Sequence, residues 1–329
     1  MQIFVTGGTG MIGRPLVARL RDRGDRVVVV SRSADAARRD PAFRGIRVVP
    51  GDPAAPGPWQ DEVDGVDAVV NLAGQNIFER RWTAAVRAQI RDSRVYATEN
   101  LAAAVRQARS RPGIFVQGSA VGYYGSRGDE RLTEAEPYGT DFLAAICREL
   151  EDAAAPVAGL GARLAMIRTG VVLGRGQGAL GVMAPLFRWG GAAPVGGGGH
   201  WLRPARGQQW LSWIHLDDIV GLFLLALDHP EATGPINGTA PEPARNVDFA
   251  RALAKAVHRP MLPIGPPDAL LDLLLGGVAR SVTTGQRAVP DRALALGYRF
   301  ERPDLADAIR VALRGPGSAR REPIAAGPP

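Results

Sequence analysis

The sequence is short of cysteine and of lysine, and both shortages narrow what it does. Cys147 is the single cysteine in 329 residues, so no intrachain disulfide forms and a cross-linked secreted scaffold is excluded. The four histidines, His200, His215, His229 and His258, fall without ligand spacing, which leaves no metal-binding motif. No stretch reaches the ~20 apolar residues of a membrane span. The apolar opening Ile3-Phe4-Val5 passes straight into glycines, with no basic leader. These absences point to a cytoplasmic protein with no membrane role. Lys255 is the only lysine, so the net charge of +7, from 40 basic and 33 acidic residues, is almost wholly arginine. The arginines are interleaved with acids, as in Arg21-Asp22-Arg23, which is the pattern of a solvated surface; nucleic-acid binding is not expected. What remains is an ordinary globular composition, 46% hydrophobic and 22% charged, long enough for about two structural units.

Short β-branched runs at 2–6, 26–30, 46–49, 68–71, 114–117 and 164–168 alternate with helical patterns at 11–22, 84–109 and 140–154. That alternation predicts an α/β protein: a Rossmann-type doubly wound parallel sheet with helices on both faces. From Gly170 the texture turns to Gly- and Pro-rich loop, above all over 190–207. An apolar strand at 210–214 follows, then a helix from about Asp217 and a strand at 234–238 that returns to the sheet. Helices at 247–257 and 267–275 belong to a smaller cap. The expected division is therefore a cofactor-binding domain over 1–172, completed by about 208–238, a discontinuous substrate domain over 173–207 and 239–314, and a mobile tail over 315–329. Leu270, Leu271, Leu273, Leu274 and Leu275 read as a buried helix or an oligomer contact, and a homo-oligomer through them or through the helix at 84–109 stays open.

The first strand runs into Thr6-Gly7-Gly8-Thr9-Gly10-Met11-Ile12-Gly13 and then an apolar-periodic helix. Gly10 lets backbone approach a pyrophosphate, Gly13 lets helix and strand pack closely, and the free amides around Thr9, Met11 and Ile12 face an anion. An acid is expected at the end of the second strand if the ribose 2′-hydroxyl of NAD is bound, but the chain has Ser31-Arg32-Ser33. A hydroxyl and a guanidinium suit a 2′-phosphate, so the cofactor expected is NADP(H); a merely solvated Arg32 is the alternative. Asp52 is either an acceptor for the adenine amino group or a surface turn residue.

The order of that glycine turn, Asn71-Leu72-Ala73-Gly74 and Gly118-Ser119-Ala120 resembles the extended short-chain dehydrogenase/reductase superfamily. Longer segments, among them Asn71-Leu72-Ala73-Gly74-Gln75-Asn76-Ile77, Ser119-Ala120-Val121-Gly122-Tyr123-Tyr124-Gly125 and Ser212-Trp213-Ile214-His215, are similar to one branch of it. That branch is the epimerase-family, nucleoside-diphosphate-sugar-epimerase-like proteins with a C-terminal domain of unknown function. The resemblance covers roughly 1–314. It implies that Ser31 and Arg32 face the 2′-phosphate and that Leu72, Ala73 and Gly74 line the cofactor. It also implies that Gln89 and Arg94 approach the cofactor's phosphates or ribose and that Val172 lies near the nicotinamide. Residues 198–206, with His200, Trp201 and Arg203, look like an insertion.

Superfamily members ordinarily pair a serine with a tyrosine and a lysine four residues later, because hydride transfer at a carbinol carbon needs a proton partner at its oxygen. Ser119 stands where the serine belongs. Tyr138 plus four is Phe142, and no lysine precedes Lys255, so the usual relay is absent. Either Tyr124 substitutes for it, with Ser119, or redox catalysis is lost and the protein is an NADP(H)-binding regulatory or interaction module; a scaffold that binds no nucleotide is the remaining reading. Loop capping for Ser119, pocket lining for Tyr124 and packing for His215 are the structural alternatives, and Cys147 reads as a small core residue. If catalysis is retained, the expectation is an oxidoreductase or sugar-nucleotide epimerase acting on an unidentified small substrate.

Overall fold

The computed structural model describes residues 1–174, 176–196, 206–275, 277, 279 and 283–314. The tail expected at 315–329, together with His200, Trp201 and Arg203, lies outside them. The strands are β1 (Gln2–Thr6), β2 (Arg26–Ser31), β3 (Arg47–Pro50), β4 (Ala68–Asn71), β5 (Ile114–Ala120), β6 (Arg131–Leu132), β7 (Arg163–Thr169), β8 (Val171–Gly174), β9 (Trp210–Leu211), β10 (Trp213–His215), β11 (Gly234–Gly238), β12 (Ala244–Arg245) and β13 (Arg287–Ala288). Seven of them form one parallel sheet in the order β11-β7-β5-β4-β1-β2-β3. The order reverses direction at β1, and it is outside the carboxyl ends of the strands at such a reversal that a crevice opens.

Alternation along the strands sends side chains to two cores. Ile3, Val5, Val27 and Val29 pack with Leu16, Val17 and Leu20 of α1 (Gly13–Asp22), and on the same face lie Ile219 and Phe223 from a helix later in the chain. Phe4, Val28, Val69 and Phe115 face the other way, onto Leu101 and Val105 of α2 (Ala84–Gln107). This long helix starts on Thr83, whose Oγ1 accepts from Val86 N at 3.2 Å, the usual side-chain cap of an N-terminus. Next come α3 (Phe142–Ala154), α4 (Gly178–Arg188), α5 (Leu216–Asp228), α6 (Asn246–Ala256) and α7 (Asp268–Leu275). A separate core holds Leu180, Phe187, Trp213, Phe249, Leu253 and Ile309.

Two expectations are corrected and a third is narrowed. The strand expected over 210–214 is two strands, because Ser212 leaves the ladder: its Oγ accepts from Ala288 N at 2.9 Å and donates to Gln286 O at 2.8 Å. The Gly- and Pro-containing stretch read as loop holds α4; burial of Leu180, Ala184 and Phe187 outweighs the weak helix propensity of its glycines and Pro185. Leu270 and Leu273 of α7 are exposed, which removes the buried-helix alternative for these two and leaves the oligomer contact open. The return strand at 234–238 joins the sheet beside β7 as expected.

Candidate functional site

The turn from β1 into α1 is shaped by close approaches. Gly7 has a φ of +64°, and a Cβ there would lie 2.3 Å from Leu72 O; a Cβ on Gly13 would lie 2.2 Å from Gly7 O. Neither position admits a side chain. Gly10 is different: it is exposed, and its Cβ would meet only Gly7 O, at 3.2 Å. No side chain caps α1 and no acid occupies its first turn. The amides of its first turn and the positive end of its dipole therefore open onto a bare glycine surface, a cradle that fits a pyrophosphate. Thr9 is exposed and Ile12 half-buried on the same turn, and Met11 braces it from the far side: a Cβ on Gly174 would meet Met11 Cε at 2.7 Å. Val172 is half-buried on β8, opposite Ile214.

At the end of β2 Ser31 is buried, and its Oγ accepts from Ser33 N at 3.2 Å. Arg32 is exposed, with no hydrogen bond or ion pair among the described residues. Asp52 follows the neighbouring strand, and its Oδ1 accepts from Ala54 N at 3.0 Å, so a turn-forming role is visible for it. Leu72 and Ala73 are half-buried and Gly74 exposed after β4. Beneath them Thr6 Oγ1 donates to Asn71 Oδ1 at 2.5 Å, and Asn71 Nδ2 donates to Thr98 Oγ1 and Gln117 Oε1, both at 3.0 Å. This buried network ties β1, β4, β5 and α2 together under the crevice. On α2, Gln89 is exposed, whereas Arg94 turns inward and donates to Ile90 O at 3.0 Å and Gln75 O at 2.8 Å.

Ser119 ends β5 on a charged framework that sequence reasoning missed. Its Oγ donates to Glu151 Oε1 at 2.7 Å, and Glu151 is gripped through both oxygens by Arg168, at 3.0 Å from Nε and 2.8 Å from Nη2. Both charged side chains are buried. Against the desolvation that burial imposes, the Glu151 carboxylate holds Arg168 above its ordinary pKa. Two signals could have exposed this pair: an acid in the apolar stripe Ala144, Cys147, Glu151, Ala154 of α3, and a guanidinium inside a strand buried on both faces.

Tyr124 is placed differently from expectation. Its ring is fully buried, its hydroxyl accepts from Arg168 Nη1 at 3.0 Å and donates to Asn237 Oδ1 at 2.7 Å, and burial pushes its pKa up to about 12. A phenol so committed is framework and not a proton donor facing the crevice; the short turn Val121–Tyr124 folds it back under the strand ends. His215 caps α5, its Nδ1 accepting from Asp217 N at 3.2 Å, so the packing alternative holds. Cys147 is buried and burial pushes its thiol up to about 12, which leaves no thiolate nucleophile.

Past the Ser119 framework, Trp210 carries two guanidiniums on its ring, Arg245 at 3.9 Å and Arg287 at 4.7 Å from the centroid. Arg245 pairs with Asp129 at 2.7 Å. Trp210, Arg245 and Asp129 border a cavity of about 170 Å³ whose lining also includes Ser126 and Gln208.

Among known proteins, the profile of the NAD dependent epimerase/dehydratase family matches residues 3–237, and that of a domain of unknown function (DUF1731) matches 266–312. The chain is 40% identical over 320 residues to the chloroplastic epimerase family protein SDR39U1 homolog of Arabidopsis thaliana, covering 95% of this chain and 87% of that one. It is similar to the crystal structure of the human epimerase family protein SDR39U1 (isoform 2) with NADPH, with a TM-score of 0.81, 34% identity and coverage of 94% and 98%. A nucleoside-diphosphate sugar epimerase from Corynebacterium glutamicum matches with a TM-score of 0.72 and 32% identity, over 94% of this chain and 57% of that one.

Proposed function

The chain belongs to the NAD-dependent epimerase/dehydratase family, and from that premise we propose that it binds NADP(H) and works as an oxidoreductase or epimerase on a small anionic substrate, without the usual tyrosine and lysine. The uncapped start of α1, bared over Gly10, carries the cofactor half of this proposal. Arg32, with no acid beside it at the end of β2, selects the 2′-phosphate over a free ribose diol. Ser31, Asp52, Leu72, Ala73, Gly74, Gln89, Arg94 and Val172 complete the proposed lining. The human relative with NADPH in its crystal structure supports the same choice. When bound, the nicotinamide supplies the hydride acceptor or donor.

Ser119 supports the catalytic half. Its own hydrogen is directed at Glu151 and the Cys147 thiol also hydrogen-bonds it, so one lone pair of Ser119 Oγ remains to accept a substrate O–H, and the proton then has a path from substrate oxygen to Ser119 Oγ and from Ser119 to the Glu151 carboxylate. Glu151 is held through both oxygens by Arg168, which fixes its orientation. The Trp210 ring with Arg245 and Arg287 suits a planar or phosphorylated group, as a sugar nucleotide carries, and a nucleoside-diphosphate sugar epimerase is among the similar proteins.

The burial of Tyr124 favours a second reading, an NADP(H)-binding module without chemistry. A hydride-exchange assay with NADPH against carbonyl compounds and sugar nucleotides separates the two. Exchange that falls at least a hundredfold in Ser119→Ala supports catalysis; NADPH binding with no exchange across the panel leaves the binding module.

A further inference from the structure

Among the described residues, Arg94 is a cation without an anion. It is half-buried on α2, next to the buried Ile90, Ala97, Thr98 and Leu101, and its guanidinium packs on the chain after β4, where a Cβ on Gly74 would lie 3.1 Å from Cζ. Its neighbours on the helix are otherwise engaged: Arg91 pairs with Glu149 at 2.6 Å and Asp92 at 2.9 Å, and Arg87 sits over the rings of Trp82 and Phe142. Among the described residues no carboxylate reaches Arg94, and its bonds go to the carbonyls of Ile90 and Gln75. A guanidinium has five N–H groups, so three remain for something else. Across from it on α3 stands the Cys147 thiol, which burial keeps protonated, and one turn on Glu151 is already engaged by Arg168 and Ser119. Burial draws the Arg94 pKa down from its ordinary value, yet a guanidinium stays charged in proteins.

The sheet says which part of a dinucleotide this charge would meet. Strands β1 to β3 take the adenosine half, and the strands across the reversal, β4, β5 and β7, take the nicotinamide half. Arg94 lies over the chain leaving β4, one strand from Ser119 at the end of β5. We infer that Arg94 selects the redox state of the cofactor: its uncompensated positive charge beside the nicotinamide half disfavours the cationic oxidised ring, so the protein holds NADPH in preference to NADP+. The inference rests on the NADP(H) reading above. Both forms carry the same phosphates and ribose, so every other contact of Arg94 cancels in the comparison and the ring charge remains. A unit like charge at an effective dielectric near 20 shifts the ratio of affinities by about tenfold or more.

Calorimetric titration of the full chain with NADPH and with NADP+ tests it, in the wild type, Arg94→Met and Arg94→Lys. The expected wild-type preference for NADPH is about tenfold or more. It falls to within about twofold in Arg94→Met and survives in Arg94→Lys, which keeps the charge. A purely structural Arg94 would weaken both forms by the same factor, and that result overturns the inference. Equal wild-type affinities overturn it while leaving the cofactor reading intact, and they do so even if Arg94→Met does not fold. Binding of neither form overturns both.

Discussion

Glu151 and Arg168 show how much of this site rests on single side chains. Each is buried and each satisfies the other, so removing one strands a charge where water cannot reach it. Arg168→Ala is expected to destabilise the protein by about 3–5 kcal/mol, whereas the double replacement Glu151→Leu with Arg168→Met recovers most of that; urea unfolding of both variants checks the contrast. The glycines of the first turn divide in the same way. Gly7→Ala meets both a positive φ and Leu72 O at 2.3 Å, and should cost about 3 kcal/mol of stability. Gly10→Ala meets only Gly7 O, at 3.2 Å, a tight contact that a shift of a few tenths of an ångström relieves, and should cost about 1 kcal/mol. Its Cβ nevertheless stands where the pyrophosphate is proposed to lie, so NADPH affinity should fall at least tenfold. Comparing melting temperature with calorimetric affinity for the two variants separates a fold glycine from a ligand glycine. Sequence spacing marked both residues, but it did not divide their roles, because that depends on which backbone atoms arrive from β4.

At the scale of elements, α5 begins on an unusual cap. Burial holds the His215 imidazole below its ordinary value of 6.5, so Nδ1 stays neutral and accepts from Asp217 N. The unfolded chain gains a proton near pH 6.5 that the native state resists. This contribution to stability is therefore present in full above about pH 6.5 and declines as the pH falls below it. His215→Asn keeps a good capping acceptor and should flatten the loss, which urea midpoints at pH 7.0 and 5.5 would show; an unchanged pH dependence would exclude His215 as its source. The helices α2 and α3 were legible from their periodicity, and so were the strands of the sheet. The helix α4 was not, since Gly and Pro argue against it locally and only the core formed by Leu180, Trp213 and Phe249 rewards it.

For the molecule as a whole, ligand binding and stability are linked. NADPH at a hundred times its Kd should add about 2.7 kcal/mol and raise Tm by roughly 5 °C. Arg32→Glu, at an exposed position with no partner among the described residues, should leave the unliganded Tm nearly unchanged and abolish most of that rise; a full shift in the variant would remove Arg32 from the cofactor site. The described helices include none long and apolar enough to cross a membrane. The chain's own order of residues determined the parallel sheet, the glycine turn, the missing tyrosine and lysine and the place of Ser119, because each is a local pattern of period, spacing or residue type. Only the tertiary structure decided that Tyr124 is framework, that Glu151 and Arg168 stand behind Ser119, and that Arg94 has no acid to face among the described residues. Those facts depend on which side chains from β5, β7, α2 and α3 meet across the sheet, and a buried charge reveals its partner, or its lack of one, only when the elements have packed.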